Sequence, residues 1–228
     1  MGNQTVYFKK KPRIISVSTV AGTKECVGAI GRYVEIALAD DMFGESTFEK
    51  AECKMLSTVI DGAIKNAGLK REDVDMIVSG DLLNQIISAS FAARDFSIPF
   101  LGVYGACSTM AESLAVAAAF TDGGYRRRVV AATGSHFASA ERQYRYPLEL
   151  GTTRPPQSQW TVTGAGSALV ACEGEGIKIT AATLGKVVDY GITDVNNMGA
   201  AMAPAVAIIE PYPLHFNTQI YKGGWNEN

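Results

Sequence analysis

The chain has 228 residues, 47% of them hydrophobic and 19% charged, enough apolar material for the core of one large or two small domains and too much for a largely disordered protein. Its 21 Lys and Arg against 23 Asp and Glu leave a net charge of −2, and the basic clusters, Lys9-Lys10-Lys11 and Arg126-Arg127-Arg128, are too short for a nucleic-acid footprint. Cys26, Cys53, Cys107 and Cys172 form no C-x-x-C pair and share no ligand spacing with His136 or His215, so no metal site is expected.

Lys9 to Arg13 followed by Ile14-Ile15-Ser16-Val17-Ser18-Thr19-Val20 superficially mimics a signal peptide. The hydroxyl residues alternate with apolar ones, however, and the run reads as a first strand, Arg13 to Val20. No secretion is expected, and the thiols should be reduced. Gly22 to Glu45 shows no steady period and is read as an irregular excursion. From Ser46 or Thr47, either of which can cap, Met55, Val59, Ile60, Ala63 and Ala67 keep helical spacing until Gly68. Val74 to Ser79 follows as a strand ending in Gly80-Asp81-Leu82-Leu83-Asn84, then a helix over Gln85 to Asp95 and a third strand over Ile98 to Tyr104.

Cys107 to Phe120 carries one charge, Glu112. A helix that is apolar all round is expected to be buried on all sides. Gly123-Gly124 stops it, Arg128 to Thr133 gives a fourth strand ending in Gly134-Ser135-His136, and a polar loop with Pro155-Pro156 precedes a fifth strand, Ala165 to Cys172. Ile177 to Val188 reads as one or two more. The longest uncharged stretches, Phe96 to Ala111 and Pro155 to Cys172, are broken by Pro, Gly, Ser and Thr, so any membrane association is expected to be peripheral. The order β-α-β-α-β-α-β-β implies a largely parallel sheet with helices on both faces. Ligands of such sheets sit beyond the carboxyl ends of the strands, where Asp81, Asn84, Cys107, Ser135 and His136 fall.

Gly105-Ala106-Cys107-Ser108-Thr109 puts a thiol at the first turn of a helix, where free N–H groups favour the thiolate. Cys107 is read either as a nucleophile or as one more small buried residue. The same helix start is also a ready anion site. His136 is a candidate base or donor to a carboxylate, or a structural histidine at a strand end. Asn84 and Asp81 either line a pocket or cap the next helix, with Asp81 the weaker ligand for any anion because of its own charge. Arg142 and Arg145, with Tyr144 and Tyr146, offer guanidinium and aromatic side chains within five residues, a set suited to an anion. Thr163-Gly164-Ala165-Gly166-Ser167 lacks the dinucleotide fingerprint, and no cofactor is expected. Arg126-Arg127-Arg128 is read as a solvated corner or a contact to acidic lipid or a partner.

The runs Gly80 to Gln85, Gly105 to Ser113, Ser135 to Pro147, Gly191-Ile192-Thr193-Asp194 and Met198 to Pro204 together resemble the stage V sporulation protein AD family of endospore-forming bacteria. The resemblance covers the chain from the first strand to about Ala205. It implies an α/β, thiolase-like fold, a five-stranded, largely parallel sheet forming one half of the thiolase pseudo-dimer. It also implies binding of dipicolinic acid, accumulated with calcium, in support of its uptake into the developing spore alongside stage V sporulation membrane proteins. A peripheral place at the spore inner membrane follows from the same resemblance. In the thiolase-like enzymes the first half brings the cysteine, and activating histidines come from the second. The expected division is therefore a thiolase-like half over 1–205 and an irregular tail over 206–228, with a homodimer as a substitute for the pseudo-dimer. The binding residues expected are Cys107, His136, Asn84, Ser135, Arg142 and Arg145. The alternative is an acyl-transferring condensing enzyme with Cys107 as acyl acceptor, and a third reading is a scaffold without ligand.

Overall fold

The computed structural model describes residues 4–141 and 161–185, together with Asp189, Gly191 and Thr193. Arg142 and Arg145, the Pro155-Pro156 loop and the segment 206–228 lie outside the described residues.

After the short β1 (Thr5–Tyr7) comes β2 (Arg13–Ala21), whose alternating hydroxyl and apolar side chains fit a strand with two different faces. The irregular excursion contains a four-residue helix, α1 (Thr23–Cys26), a single 3₁₀ turn at Gly31–Tyr33 and the two-residue β3 (Ile36–Ala37). Helix α2 (Phe48–Asn66) starts where the sequence places it: the Thr47 hydroxyl accepts from the Lys50 N–H at 3.3 Å, and Glu49 lies in the first turn. Its buried stripe is Ala51, Glu52, Met55, Leu56, Val59, Ile60, Ala63 and Ile64. The chain continues through β4 (Met76–Asp81), α3 (Ile87–Arg94), β5 (Phe100–Gly102), a 3₁₀ turn at Ala106–Ser108 and α4 (Thr109–Asp122). It closes with β6 (Arg128–Ser135), α5 (Phe137–Glu141), β7 (Gly164–Ala171), β8 (Ile177–Lys178) and β9 (Ala181–Thr183).

The main sheet has the order β3-β2-β7-β6-β4-β5, with β8 beside β2, while β1 and β9 pair separately. Among the described residues it has seven strands rather than five, because β3 and β8 add two residues each at its margin. Strands β2, β3, β4, β5 and β6 all run one way. Strand β7 lies between β2 and β6 antiparallel to both, and β8 is antiparallel to β2, so the sheet is mixed. Two cores flank it. Met55, Leu56, Val59, Ile60 and Ile64 of α2 and Ala89 and Ala92 of α3 pack on Ile77, Val130, Ala132 and Leu169. Leu114, Ala117 and Ala118 of α4 pack on Val78, Val129, Ala131, Ala168 and Val170 of the opposite face.

Helix α4 differs from expectation. Thr109, Ser113, Leu114, Ala117, Ala118 and Thr121 face the sheet and are buried, whereas Ala111 and Ala119 are exposed. Alanine covers both faces of this helix, so its composition carries no mark of which one packs.

Candidate functional site at the carboxyl ends of the strands

Cys107 sits in the 3₁₀ turn that leads into α4, its thiol exposed. The turn is tied locally: the Ser108 hydroxyl donates to the Gly105 carbonyl at 2.7 Å and the Thr109 hydroxyl to the Ala106 carbonyl at 2.8 Å. Ala106, next to the cysteine, has φ 49°, a left-handed conformation costly to any residue with a Cβ. Gly80 at the end of β4 permits the close approach of this turn. A Cβ there would collide with the Val103 carbonyl and stand 2.9 Å from Thr109 Cγ2. Glu112 lies in the first turn of α4 with Oε2 buried and unpartnered, and a Cβ on Gly105 would meet that oxygen at 2.5 Å. A carboxylate therefore already faces the helix start that the sequence offers to an anion.

His136 is fully buried. Its Nδ1 accepts from the Ala138 N–H at 3.2 Å, which assigns the ring proton to Nε2, donating to the Asp41 carbonyl at 2.9 Å. Burial pushes its pKa below the usual histidine value, against the pull of the Asp41 carbonyl and of the Asp41, Glu49 and Glu25 carboxylates. With both nitrogens engaged, and with Phe48 and Phe137 at ring distances of 4.9 and 5.0 Å, this imidazole is built as a structural strut.

Asn84 is engaged with α2 and α3. Its Nδ2 donates to Glu52 Oε2 at 3.2 Å and to the Ser88 hydroxyl at 2.9 Å. The Ser139 hydroxyl donates to the same Glu52 oxygen at 2.7 Å and also lies 3.1 Å from the His136 carbonyl. Asn84 and the segment after His136 thus meet at one carboxyl group. Asp81 accepts from the Ile86 N–H at 3.1 Å through Oδ1, while Oδ2 has no hydrogen-bond partner among the described residues. Burial, reinforced by the Asp81 charge, pushes the Glu52 carboxyl up to about 7 against the hydrogen bonds from Ser139, Ser88 and Asn84, and burial raises Asp81 as well.

Ser135 is on the other face. Val130 and Ala132 of β6 point into the α2 core and Val129 and Ala131 into the α4 core, so alternation puts Ser135 on the α4 side, the side of Cys107. Its hydroxyl is buried and has no hydrogen-bond partner among the described residues. The six candidates therefore divide: Cys107 and Ser135 share one face, Asn84 and His136 join a buried network on the other, and Arg142 and Arg145 fall outside the described residues. Sequence reasoning missed Glu52, Ser88, Ser139 and Glu112. Glu52 had a signal, since it occupies a position on the apolar stripe of α2 three residues before Met55. Among the described residues, no group of three or more His, Cys, Asp or Glu side chains is arranged to hold a metal ion, and no helix is long and apolar enough to cross a membrane.

The alternation of strands and helices from β2 through α5 to β7, the strand β7 inserted antiparallel between β2 and β6, and the cysteine turn at the head of α4 make this an α/β chain with helices on both faces of a mixed sheet. The sequence model of Stage V sporulation protein AD matches residues 2–219, and the chain belongs to that family. It is 43% identical over 206 residues to the Stage V sporulation protein AD of Bacillus subtilis (strain 168), covering 90% of this chain and 61% of that protein. The chain thus spans about three fifths of the length of that relative. Similar solved structures include 3-oxoacyl-[acyl-carrier-protein] synthase III from Aquifex aeolicus VF5, with 15% identity, a TM-score of 0.47, and 70% of this chain and 53% of that one covered. An OleA variant from Xanthomonas campestris shows 13% identity and a TM-score of 0.49, over 73% and 57% of the two chains.

Proposed function

We propose that this chain is a non-catalytic, thiolase-like sporulation protein that binds dipicolinic acid and supports its uptake into the developing endospore. It would act peripherally at the inner membrane with stage V sporulation membrane proteins, with calcium accompanying the ligand and a homodimer as the assembly. Family membership supplies the sporulation setting. The observation that carries the non-catalytic part is His136: it is sealed in the α2 face by Asp41 and Ala138, while Cys107 stands exposed on the α4 side. With both nitrogens engaged there, His136 does not serve as a base for the Cys107 thiol, which supports a binding rather than a catalytic role for these two residues. Cys107 and Ser135 remain the polar groups best placed to touch a ligand.

Titration calorimetry with dipicolinic acid, a phthalate isomer as control, and a Cys107→Ala variant tests the reading. Saturable binding that rejects the isomer is expected, and a variant that still binds shows the thiol to be dispensable. Heat no different between the two acids from folded protein sinks the reading. The condensing-enzyme alternative is kept by the strained Ala106 beside Cys107. It requires a thioester on Cys107 after incubation with an acyl-coenzyme A, visible as a mass increase absent from Cys107→Ala.

A further inference from the structure

Glu52 in α2 and Asp81 at the end of β4 are 1% and 0% exposed, yet among the described residues neither forms an ion pair with Lys, Arg or His. What surrounds them is neutral. Asn84 and Ser139 donate to Glu52, with Ser88 close by. The Ile86 N–H donates to Asp81, and the amides of Ala89, Asn84 and Ser88 face the same carboxyl. The remaining ionisable groups on the adjoining elements do not compensate. Cys53, next along α2, is a thiol raised by burial. Arg94 of α3 is paired with Asp95, His136 is neutral and turned to Asp41, and Glu141 of α5 is another acid, bonded to the Thr161 N–H at 3.1 Å. Two like charges without a cation in a buried site are costly, and neutralisation of one relieves the cost.

The loop between β4 and α3 is strained beside this pair. Gln85 and Ile86 have φ 57° and 65°, and for a β-branched residue that conformation is an outlier. The Ile86 N–H is held by Asp81 at 3.1 Å, and the Tyr104 hydroxyl reaches the Leu83 carbonyl at 3.4 Å, three residues ahead of Cys107. We propose that Glu52, beside the buried Asp81, is a proton-binding site whose proton keeps the two acids from both being charged and so holds the 81–86 loop, tied to Glu52 through Asn84 and to Asp81 through the Ile86 N–H, in its strained form, and that loss of this proton loosens the loop next to the Cys107 turn. The inference does not depend on which ligand the protein takes.

The test uses the full chain. Infrared difference spectra of the wild type between pH 5 and 8 should show a protonated-carboxyl absorption that persists at pH 6, where ordinary carboxylates are ionised, and disappears as the pH rises through about 7. Glu52→Gln should abolish that titration, and Asp81→Asn should shift it to lower pH by removing the like charge. Hydrogen exchange supplies the loop readout. Protection of the Ile86 amide, corrected for the intrinsic rate, should fall by up to roughly tenfold per pH unit between about 4.5 and 7 and then level off. In Glu52→Gln it should vary less. A folded wild type with no protonated-carboxyl absorption at pH 6 overturns the proton site whether or not the variants fold. Ile86 protection that is flat across that window overturns the coupling to the loop.

Discussion

At the scale of single residues, two buried ionisable groups pull stability in opposite directions. The pKa of Glu52 is raised from 4.5 to about 7. Its contribution is therefore complete below the unfolded value near 4.5 and is lost as the pH rises through the folded value, a loss on the order of 3 kcal/mol. His136 is a base whose folded pKa is lowered by burial. Its contribution is present above about 6.5 and is lost as the pH falls below that. Urea unfolding at a series of pH values should show Glu52→Gln removing the loss toward neutral pH and His136→Gln removing the loss toward acid. Unchanged slopes in both variants would refute these assignments. Thr47→Ala should cost about 1 kcal/mol at every pH, because the cap it removes is neutral. Calorimetric melting reads that effect, and no change in melting temperature would deny the cap.

At the scale of elements, Gly80 decides how the cysteine turn meets the sheet. Its missing Cβ leaves room for the Val103 carbonyl and Thr109, so Gly80→Ala should cost about 1–3 kcal/mol in urea unfolding. It should also alter the alkylation rate of Cys107, and a variant as stable as the wild type would show that β5 and α4 give way easily. Helix α2 was legible from the sequence because a cap and an apolar stripe agree over 19 residues. The strands β2, β4, β6 and β7 were legible because apolar runs end in glycine and polar turns. The pair β1 and β9 was not read as such, since three-residue strands carry no period and their partner lies almost the whole described chain away. Cys107, Ser135 and Asn84 were found at strand ends, where an α/β topology leads one to look. The division of the candidates between two faces was hidden, because it depends on register: one residue along β6 separates Gly134 on the α2 side from Ser135 on the α4 side. Glu52 and Asp81 are 29 positions apart in sequence, and only packing of α2 against the sheet brings them together.

At the scale of the whole molecule, the outer edge of the sheet bears on the proposed homodimer. Among the described residues β5 has a neighbour on one side only. Leu101 within it, Ile87 and Phe91 on α3, and Tyr104 beyond it are all exposed. An open strand edge flanked by apolar side chains favours association. Sedimentation velocity should show reversible, concentration-dependent self-association of the chain, and Leu101→Lys should shift it toward monomer. A monomer at all accessible concentrations would leave the homodimer without support.

The placement of β7 sets an order of events for the nascent chain. β2 emerges first among the long strands, but its long partner β7 begins at Gly164, about 140 residues after β2 ends. Until then β2 has only the two-residue β3 beside it, while β4, β5 and β6 can already pair with one another. Closing so distant a contact late makes folding slow and leaves two unpaired strand edges exposed in the meantime. Any chain interrupted before Gly164 would carry its first long strand as an orphan, with the sheet split in two and its adhesive edges turned outward.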